Sequence, residues 1–451
     1  MSDNRAGAMS RRQLIQGTGS AMAVMAAPHV HVAQDDTVRL ALIGCGGRGT
    51  GAVGDAFSVQ DAKVRLVAMA DIFEHRLSGS FDALKQSFGD RVDVPPERRF
   101  VGYDAYARAM ACLKPGDVAI MATPPAFRWV HFREAIARSL NVFMEKPVTV
   151  DGPTSKRMLA LGEESVARGL KVGVGLMCRH CVARKALFEQ IKAGAMGDLV
   201  LLRGYRMHDQ IGYFASGPKP ADMSEMLYQT QRFHSFLWSG GGAFSDFYIH
   251  HIDECCWMKD AWPIQAHALG GRHYRGDSVD QNFDAYSVEY TFADGAKLYL
   301  EGRCMRGCQN AFASYAHGTK GLAIISENGH APARSRIFKS HLRDDSEVAW
   351  SYGKREPSPY QLEWADLLDA IRNDKPYNEV KRGVEASLVT VMGRMAAHTG
   401  QTVTYEQALN SDHEMAPNLD KLNADSPAPL QAGPDGKYPV PEPGRKGMRE
   451  Y

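Results

Sequence analysis

Four side chains in two short segments are of the types that exchange protons with a substrate. Lys146 is the middle residue of a Glu-Lys-Pro sequence that directly follows a short apolar run. Asp246, His250 and Asp253 follow three consecutive glycines, and in a helix their spacing would place them on one face. Amines, imidazoles and carboxylates serve enzymes as general acids and bases. We therefore predict acid–base chemistry at these positions.

A glycine-rich loop provides a second chemical signal. Residues 44–49 follow an apolar strand and open a helical segment in the pattern G-x-G-x-x-G. In this pattern Gly44 allows a tight turn, Gly46 lets the backbone approach a pyrophosphate, and Gly49 lets helix and strand pack closely. The free N–H groups and positive potential of a helix N-terminus favour phosphate binding. The loop therefore predicts a dinucleotide site.

An acidic residue stands at the end of the second predicted strand, about twenty residues beyond the loop. Asp71 has the position at which a carboxylate accepts hydrogen bonds from a ribose hydroxyl. Because this carboxylate would repel a 2′-phosphate, the sequence favours NAD as the cofactor. The nearby Arg76 leaves NADP open as the alternative.

The elements that must position these residues alternate between strands and helices in the first part of the chain. The predicted strands cover residues 38–43, 64–70, 117–122, 141–144 and 170–176, and predicted helices between them cover 130–139 and 155–168. Such alternation is typical of a doubly wound parallel sheet. We therefore predict an α/β fold with a Rossmann domain over residues 37–176.

The pattern changes after residue 176. A helix at 183–192 precedes a strand at 199–205, and alternating runs at 285–292 and 297–301 predict a hairpin. We predict that residues 177–410 form an α+β domain with a large, mostly antiparallel sheet and helices on one face. The open face of such a sheet has to be covered, so we expect a homodimer or homotetramer formed through it.

Later helices are predicted at 360–372 and 384–399, and the Pro- and Gly-rich tail, 411–451, is expected to be extended and loose.

The first residues resemble a twin-arginine export signal. Arg11 and Arg12 precede a weakly apolar stretch that Pro28 interrupts. We expect residues 1–36 to be a signal and linker, and the protein to be periplasmic or otherwise exported; a disordered basic segment is the alternative. The formal net charge of +1 argues against a nucleic-acid surface. No uninterrupted apolar run is long enough to span a bilayer, which argues against stable membrane insertion.

The eight cysteines raise the question of a zinc site. Cys178 and Cys181 form one close pair, and Cys304 and Cys308 form another. The two pairs are too far apart in the chain for a compact zinc ribbon, and Cys178 lies at the end of an apolar strand. We therefore predict buried, reduced thiols and no metal, although an exported location would permit a disulfide.

Taken together, these motifs resemble the glucose–fructose oxidoreductase and inositol dehydrogenase family, also called Gfo/Idh/MocA. The matching pieces are the glycine loop, Thr123-Pro124, the Glu-Lys-Pro sequence, Gly-Ala-Met-Gly-Asp at 194–198, and the GGG-x3-D-x3-H-x2-D run that ends at Asp253. They span roughly residues 38–407. The arginine pair and the Thr-Pro-Pro-Ala-Phe-Arg sequence at 123–128 resemble an exported branch of the family.

The resemblance implies an NAD-dependent oxidoreductase that transfers a hydride between nicotinamide and a carbinol of a sugar or polyol. It implies that Lys146, Asp246 and His250 are catalytic and contact the substrate. His250 titrates near neutrality and is the favoured proton acceptor, whereas Lys146 would hydrogen-bond to the developing alkoxide. Which of these two is the formal base stays open, and Asp246 would bind substrate or orient the basic groups.

The remaining candidates surround these three residues. We expect the cofactor to contact Gly44, Cys45, Gly46, Gly47, Arg48, Gly49, Asp71, Thr123, Pro124, His131, Glu145 and Lys146. His131 lies near the start of a helix and is alternatively a helix cap. Arg179 and His180 follow the last strand of the first domain and are expected to line the substrate pocket. A polar and aromatic stretch suits a sugar as well as it suits a solvated loop, and it contains Arg206, His208, Tyr213, Arg232, His234 and Trp238.

Two other kinds of function stay open. A redox-neutral glycosidase or epimerase of the same family would oxidise a ring carbon transiently and then return the hydride. The intact Glu-Lys-Pro sequence favours net oxidoreduction over that chemistry. A dinucleotide-binding sensor without turnover is the second alternative, and the presence of Lys146, Asp246 and His250 disfavours it.

Overall fold

The computed structural model describes residues 37–60, 62–211, 215–273, 275–423 and 425–451. The predicted export signal, residues 1–36, lies outside the described residues, and so does Tyr213 of the polar and aromatic stretch. None of the helices in the described part of the chain has the length and apolar character of a membrane span.

The first domain is built on a parallel sheet with helices on both faces. Its strands are β1 (Val38–Ile43), β2 (Val64–Asp71), β3 (Arg99–Val101), β4 (Val118–Met121), β5 (Asn141–Met144) and β6 (Val172–Val174). Its helices are α1 (Gly47–Ser58), α2 (Glu74–Phe88), α3 (Ala105–Met110), α4 (Arg128–Ala137) and α5 (Gly152–Ala167). The strand order is β3-β2-β1-β4-β5-β6 and all pairings are parallel. The predicted doubly wound fold is confirmed; β3 was not predicted because its three residues are not buried.

The strand β1 shows why the apolar runs in this domain are continuous. Leu40 and Leu42 pack into the core on one face of the sheet, and Ala41 and Ile43 pack into the core on the other. All four are at most 2% exposed. A strand that is covered on both faces needs apolar residues at every position. The parallel arrangement then brings the carboxyl ends of β1, β2, β4 and β5 to one edge of the sheet.

The second domain contains a nine-stranded sheet. Its elements are α6 (Val182–Lys192), β7 (Leu199–His208), α7 (Glu225–Gln231), α8 (Leu237–Gly240), α9 (Gly242–Lys259), β8 (Gln265–Gly271), β9 (Ala285–Thr291), β10 (Lys297–Cys304), β11 (Ala311–Gly318), β12 (Gly321–Ser326), β13 (Arg336–Phe338) and β14 (Val348–Ser351). They are followed by α10 (Pro359–Arg372), α11 (Val380–Thr399), β15 (Val403–Thr404) and α12 (Tyr405–Leu409). The strand order is β14-β13-β12-β11-β7-β10-β9-β8-β15. All neighbours are antiparallel except β7 and β10, so the predicted mostly antiparallel sheet is confirmed.

One face of this sheet is covered by helices and the other is open. On β9, Tyr286, Val288 and Tyr290 are buried in a core that they share with α9 and α11. The residues between them point away from these helices. On the neighbouring strand β8, Leu269 is 71% exposed. The structure therefore has the open sheet face that the sequence predicted.

Helix α10 packs on the first domain, although the sequence analysis assigned residues 177–410 as a whole to the second domain. Its side chains Trp364, Leu367 and Leu368 are buried in the same core as β1 and α1. The backbone N–H of Val172 in β6 also donates to the carbonyl of Tyr377, 2.9 Å away. The chain thus returns to the Rossmann sheet after completing most of the second domain, which a linear division of the sequence could not represent.

The tail is not loose, and that expectation is wrong. Six of its residues belong to the apolar core around α4 and α5: Met415, Ala416, Leu419, Ala428, Leu430 and Tyr438. Near the end of the tail, Glu450 is 3% exposed and accepts hydrogen bonds from Arg394 of α11, at 2.8 and 2.9 Å, and is 2.8 Å from His398. The apolar residues are widely spaced in the sequence, but an extended segment lying on the body of the protein can bury each of them.

Candidate active site

A cavity of about 840 Å³ lies at the carboxyl ends of the parallel strands, between the two domains. This is the place where open α/β sheets bind their ligands, and the volume is within the range of cofactor pockets. Both domains contribute to its walls. The first provides the glycine loop and the ends of β2, β4 and β5, and the second provides part of β7 and the start of α9.

The glycine loop has the geometry that its sequence predicts. Gly44 has a φ of +93°, and a Cβ there would lie 2.7 Å from the main chain of Ala122. A Cβ on Gly49 would lie 2.0 Å from the carbonyl oxygen of Gly44. Gly46 and Gly47, in contrast, line the cavity and have no atom within 4 Å of an added Cβ. The first and last glycines are needed for packing, whereas the middle of the loop is open to a ligand.

Asp71 ties the end of β2 to this loop. Its Oδ2 accepts a hydrogen bond from the backbone N–H of Cys45 at 2.7 Å, and its Oδ1 accepts one from the backbone N–H of Phe73 at 2.9 Å. The carboxylate lines the cavity. Each carboxylate oxygen can accept more than one hydrogen bond, so Asp71 can still receive the hydroxyls of a ribose.

Thr123 and His131 form part of the opposite wall. Thr123 Oγ1 lies 3.2 Å from His131 Nδ1, and the imidazole stacks on the ring of Tyr106 with centroids 4.4 Å apart. Burial and the neighbouring Arg128 lower the pKa of His131 to about 3, so the ring is neutral. Phe127 occupies the N-cap position of α4 and makes no capping hydrogen bond with its side chain, whereas His131 is the fourth residue of the helix and is a wall residue, not a helix cap.

An ion pair joins the glycine loop to the Glu-Lys-Pro sequence. Nε of Arg48 donates to Oε1 of Glu145 at 3.1 Å, and the guanidinium lies over the ring of Tyr360 with its Cζ 4.7 Å from the centroid. Burial lowers the pKa of Arg48, but the charge of Glu145 more than offsets this and raises it above its usual value. Pro124, Glu145 and Tyr360 also line the cavity.

Lys146 and Asp246 meet although they belong to different domains. Nζ of Lys146 donates to Oδ1 of Asp246 at 3.1 Å, and Nε2 of His234 lies 3.2 Å from Oδ2 of the same carboxylate. Burial alone would raise the pKa of Asp246, but Lys146 and the hydrogen bond from His234 lower it below its usual range. Asp246 is therefore ionised and holds two basic side chains in the cavity wall.

His250 lies one helical turn after Asp246 and also lines the cavity. It is 8% exposed, and its Nδ1 is buried without a hydrogen-bond partner among the described residues. Its ring lies 4.6 Å from the ring of His330, centroid to centroid. Burial, His330, and the positive charges of Lys146 and Arg206 lower the pKa of His250 well below its usual value. The imidazole is therefore neutral and able to accept a proton.

The start of α9, which carries both of these residues, is fixed from behind. The helix follows a turn in which Gly241 has a φ of +73°. Arg394 of α11 donates to the carbonyl of Gly241 at 3.0 Å and to Ser245 Oγ at 3.2 Å. The same guanidinium is paired with Glu450, so the tail supports the helix that holds Asp246 and His250.

Two predicted substrate residues, Arg179 and His180, do not lie at the cavity. Arg179 makes a bidentate ion pair with Asp253, with its Nη2 2.8 Å from Oδ1. His180 Nδ1 lies 2.7 Å from Asp366 Oδ2, and its Nε2 lies 3.3 Å from Glu379. The turn after β6 directs both side chains toward α9, α10 and α11. They connect these helices to the first domain, and we remove them from the candidate site, together with Asp253.

The cavity also contains residues that the sequence analysis missed. They include Tyr103, Tyr106, Phe127, Arg128, Phe247, His330 and Tyr360. His330 and Tyr360 come from a loop after β12 and from α10, and no local motif marks either of them. Trp238 of the polar and aromatic stretch was a candidate for sugar binding, but it does not line the cavity. It is fully buried and donates to Gln229 Oε1 at 2.8 Å.

The cysteines do not form a second site. All eight are free, and six are buried, whereas Cys112 and Cys308 are partly exposed. Over the described ranges of the chain, no cluster of His, Cys, Asp and Glu has the arrangement of a metal site.

Comparisons with known proteins find partial similarity in sequence. No family model matches the chain. It is 23% identical over 197 residues to the rhizopine catabolism protein MocA of Rhizobium meliloti, which covers 43% of this chain and 55% of MocA. It is 31% identical over 118 residues to an inositol 2-dehydrogenase of Leifsonia xyli, or 26% of this chain and 33% of that protein. It is 27% identical over 236 residues to a glycosyl hydrolase family 109 protein of Streptomyces coelicolor, or 49% and 48%. The chain thus spans between a third and just over half of the length of these relatives.

Solved structures match over a larger part of the chain. An aldose-aldose oxidoreductase from Caulobacter crescentus has a TM-score of 0.63 at 16% identity, over 82% of this chain and 99% of that one. A scyllo-inositol dehydrogenase from Lactobacillus casei with bound NAD(H) and scyllo-inositol has a TM-score of 0.59 at 17% identity, over 82% and 99%. The chain has the fold of sugar and polyol dehydrogenases. At these identities the likeness is one of fold.

Proposed function

We propose that this chain belongs to the Gfo/Idh/MocA family and is an NAD-dependent oxidoreductase acting on a carbinol of a sugar or polyol. The observation that carries the proposal is the meeting of Lys146 with Asp246 and His250 in the cavity that also contains the open glycine loop. The partial similarity in sequence to MocA and to an inositol 2-dehydrogenase supports the same class.

The residues at the cavity fit a nicotinamide dinucleotide. The exposed backbone of Gly46 and Gly47 at the start of α1 would hold the pyrophosphate, and Asp71 would hold a ribose. The bound cofactor would supply a hydride acceptor. Asp71 disfavours a 2′-phosphate, and a dehydrogenase of the same fold binds NAD(H). Arg76 also borders the cavity, so NADP is the alternative cofactor. A comparison of the affinities for NAD and NADP distinguishes the two.

Lys146, Asp246 and His250 would have different roles in the reaction of the carbinol. Lys146 would donate a hydrogen bond to the carbinol oxygen and stabilise negative charge as it develops there. The neutral imidazole of His250 would accept the hydroxyl proton. Asp246 would keep Lys146 in place, because both its side chain and its main chain accept hydrogen bonds from Nζ.

The direct test is to incubate the purified protein with NAD and a panel of sugars and polyols, and to follow nicotinamide absorbance. Reduction of NAD by one member of the panel, abolished in Lys146→Ala, is the expected result. Tight NAD binding without turnover of any substrate would contradict the proposal and favour a sensor.

A redox-neutral reaction is the second candidate, because the chain is similar over about half its length to a glycosyl hydrolase family 109 protein. In that case a glycoside would be cleaved, or a sugar epimerised, without net reduction of NAD. Chromatography of the products in the same incubations distinguishes this outcome from net oxidation.

We also propose that residues 1–36 direct export by the twin-arginine route. The basis is the Arg11-Arg12 pair before a weakly apolar stretch. The Arg11→Lys, Arg12→Lys double variant should stay in the cytoplasm of a bacterial host, and equal export of both proteins would contradict the proposal.

A further proposal concerns the open face of the nine-stranded sheet, which we assign to contact with another copy of the chain. Leu269 and Tyr299 are exposed on this face. Light scattering should give the mass of a dimer or tetramer. The double variant Leu269→Asp, Tyr299→Asp should lower that mass, and a monomeric wild-type protein would contradict the assignment.

A further inference from the structure

The guanidinium of Arg206 lies in the cavity wall, and none of the described residues accepts a hydrogen bond from it. Arg206 belongs to β7 and lines the cavity next to the start of α9. Its Nε and Nη1 atoms are buried and have no hydrogen-bond partner within the part of the chain that the structure describes. Buried donors that stay unpaired cost free energy, and more so when they carry charge. Such a group inside a ligand cavity indicates that the ligand supplies the acceptor.

Aromatic rings hold this guanidinium in position. Its Cζ lies 3.8 Å from the ring centroid of Phe312 and 5.6 Å from that of Phe247. These contacts stabilise a cation and restrict the side chain, but they do not satisfy the N–H groups along its edge. The arrangement leaves the guanidinium without an acceptor among the described residues, and a planar acceptor would approach through Nη2, because Nε and Nη1 are buried.

The position of Arg206 relates it to the reacting groups. Phe247 directly follows Asp246, and the positive charge of Arg206 contributes to the lowered pKa of His250. Lys146 is already compensated by Asp246, and Arg48 by Glu145. Burial lowers the pKa of Arg206 as well, and the more distant Asp246 does not offset it. The substrate end of the cavity therefore has uncompensated positive charge.

We propose that the substrate is a sugar acid whose carboxylate binds to Arg206 while its carbinol lies at Lys146 and His250. Nη2 shares one edge of the guanidinium with Nε and the other with Nη1, and either edge matches a carboxylate in shape and charge, through two parallel hydrogen bonds. A phosphate dianion fits less well, because the nearby imidazole of His250 is neutral and Lys146 is paired. This inference rests on the proposed function and narrows its substrate class to uronates and aldonates.

The test compares acids with neutral sugars of the same stereochemistry. With saturating NAD, kcat/KM is measured for glucuronate against glucose, galacturonate against galactose, and gluconate against sorbitol, and the three pairs distinguish uronates from aldonates. For at least one acid, kcat/KM should exceed that of its neutral partner by about 30-fold or more. This is the size of effect expected when one member of a buried charge pair is left unpaired. Arg206→Met should remove that preference, and Arg206→Lys should restore part of it.

A matched control is available on the same strand. Arg203 lies on the opposite face of the sheet, where its Nε donates to His317 Nε2 at 3.0 Å. Arg203→Met should keep the preference of the wild type for the acid. Equal kcat/KM for acid and neutral sugars, unchanged in Arg206→Met, would overturn the inference while leaving the oxidoreductase intact.

Calorimetric binding to the NAD-loaded protein separates this inference from the proposed function. If neither these six compounds nor any member of the sugar and polyol panel is oxidised, the oxidoreductase proposal fails. The inference then stands if an acid binds to the wild type and not to Arg206→Met, and it is overturned if no acid binds or if both proteins bind alike.

Discussion

Nζ of Lys146 lies 2.6 Å from the main-chain oxygen of Asp246 and 3.1 Å from its Oδ1, so one residue of the second domain holds the amine of the first domain twice. An ammonium group has three donors. The third is left for a substrate oxygen. The position of this amine therefore depends on how the two domains pack and not only on the strand that precedes it.

Replacing Lys146 by Met should remove catalysis without removing the cofactor. We expect kcat to fall by about 10³-fold, because a proton-transfer or oxyanion-stabilising group contributes on the order of 10² to 10⁴. NAD binding, measured by fluorescence titration, should stay within about three-fold of the wild type, since Asp71 and the glycine loop are untouched. Lys185→Met is the control, because Lys185 pairs with Asp366 at the surface. A Lys146→Met enzyme with more than a tenth of wild-type kcat would remove Lys146 from the catalytic site.

Replacing Asp71 by Ala should weaken NAD more than NADP. The loss of a charged acceptor should reduce NAD affinity by about 10- to 100-fold. NADP affinity should hold or improve, because the repulsion of its 2′-phosphate is removed. Asp93→Ala, which removes an ion pair with Arg98 away from the cavity, should change neither. An unchanged ratio of the two affinities in Asp71→Ala would contradict the role of this carboxylate in binding the ribose.

The acid limb of the pH profile should lie well below pH 6.5. His250 must be neutral to accept a proton, and its pKa is lowered by burial, by His330, and by the charges of Lys146 and Arg206. Activity is therefore retained as the pH falls through 6.5, the usual pKa of a histidine, and is lost only at lower pH. The measurement is kcat/KM against pH for the wild type and for His250→Asn. A wild-type limb centred between pH 6.5 and 7 that disappears in His250→Asn would show that the imidazole titrates normally.

Glu450→Gln should destabilise the protein at neutral pH. Burial raises the pKa of Glu450, but Arg394 and His398 outweigh it and lower the pKa to about 2. Because this pKa is below the ordinary value, the carboxylate contributes stability above about pH 4.5 and loses it as the pH falls toward 2. Leaving Arg394 unpaired should cost about 3–5 kcal/mol at pH 7.

Urea unfolding of the wild type and of Glu450→Gln provides the measurement. The difference between them should shrink as the pH falls from 5 toward 2, because the unfolded wild-type chain takes up a proton at Glu450 that the folded protein does not bind until about pH 2. Glu442→Gln, on an exposed residue of the same tail, is the control and should behave as the wild type at every pH. A constant difference across this range would mean that the effect of Glu450→Gln comes from packing.

The sequence correctly predicted those features of the fold and the site that are determined by residues close together in the chain. The apolar run of β1, the turn at Gly44 and the helical spacing of Asp246 and His250 are each determined within a few residues of the chain. The hairpin of β9 and β10 is of the same kind, since its alternation and turn are adjacent in the sequence.

The failures have a common physical cause, which is pairing between distant residues. Arg179 and His180 follow a strand that ends near the cavity, but Asp253 and Asp366 draw their side chains away from it. His330 lies in a loop without a motif. The tail lacks a dense apolar pattern, yet it is buried because the body offers a surface for Leu430 and Tyr438.

The support that Arg394 gives to the start of α9 has a consequence for the order of assembly. The glycine loop, β2 and α10 precede the tail in the chain, so a nascent polypeptide can form its dinucleotide pocket before Glu450 has been synthesised. Arg394, which holds the turn at Gly241, can form its ion pair with Glu450 only after the tail has been synthesised. The full-length Glu450→Gln variant should accordingly retain cofactor affinity and lose part of its turnover, and full activity in that variant would show that the ion pair is dispensable for the catalytic helix.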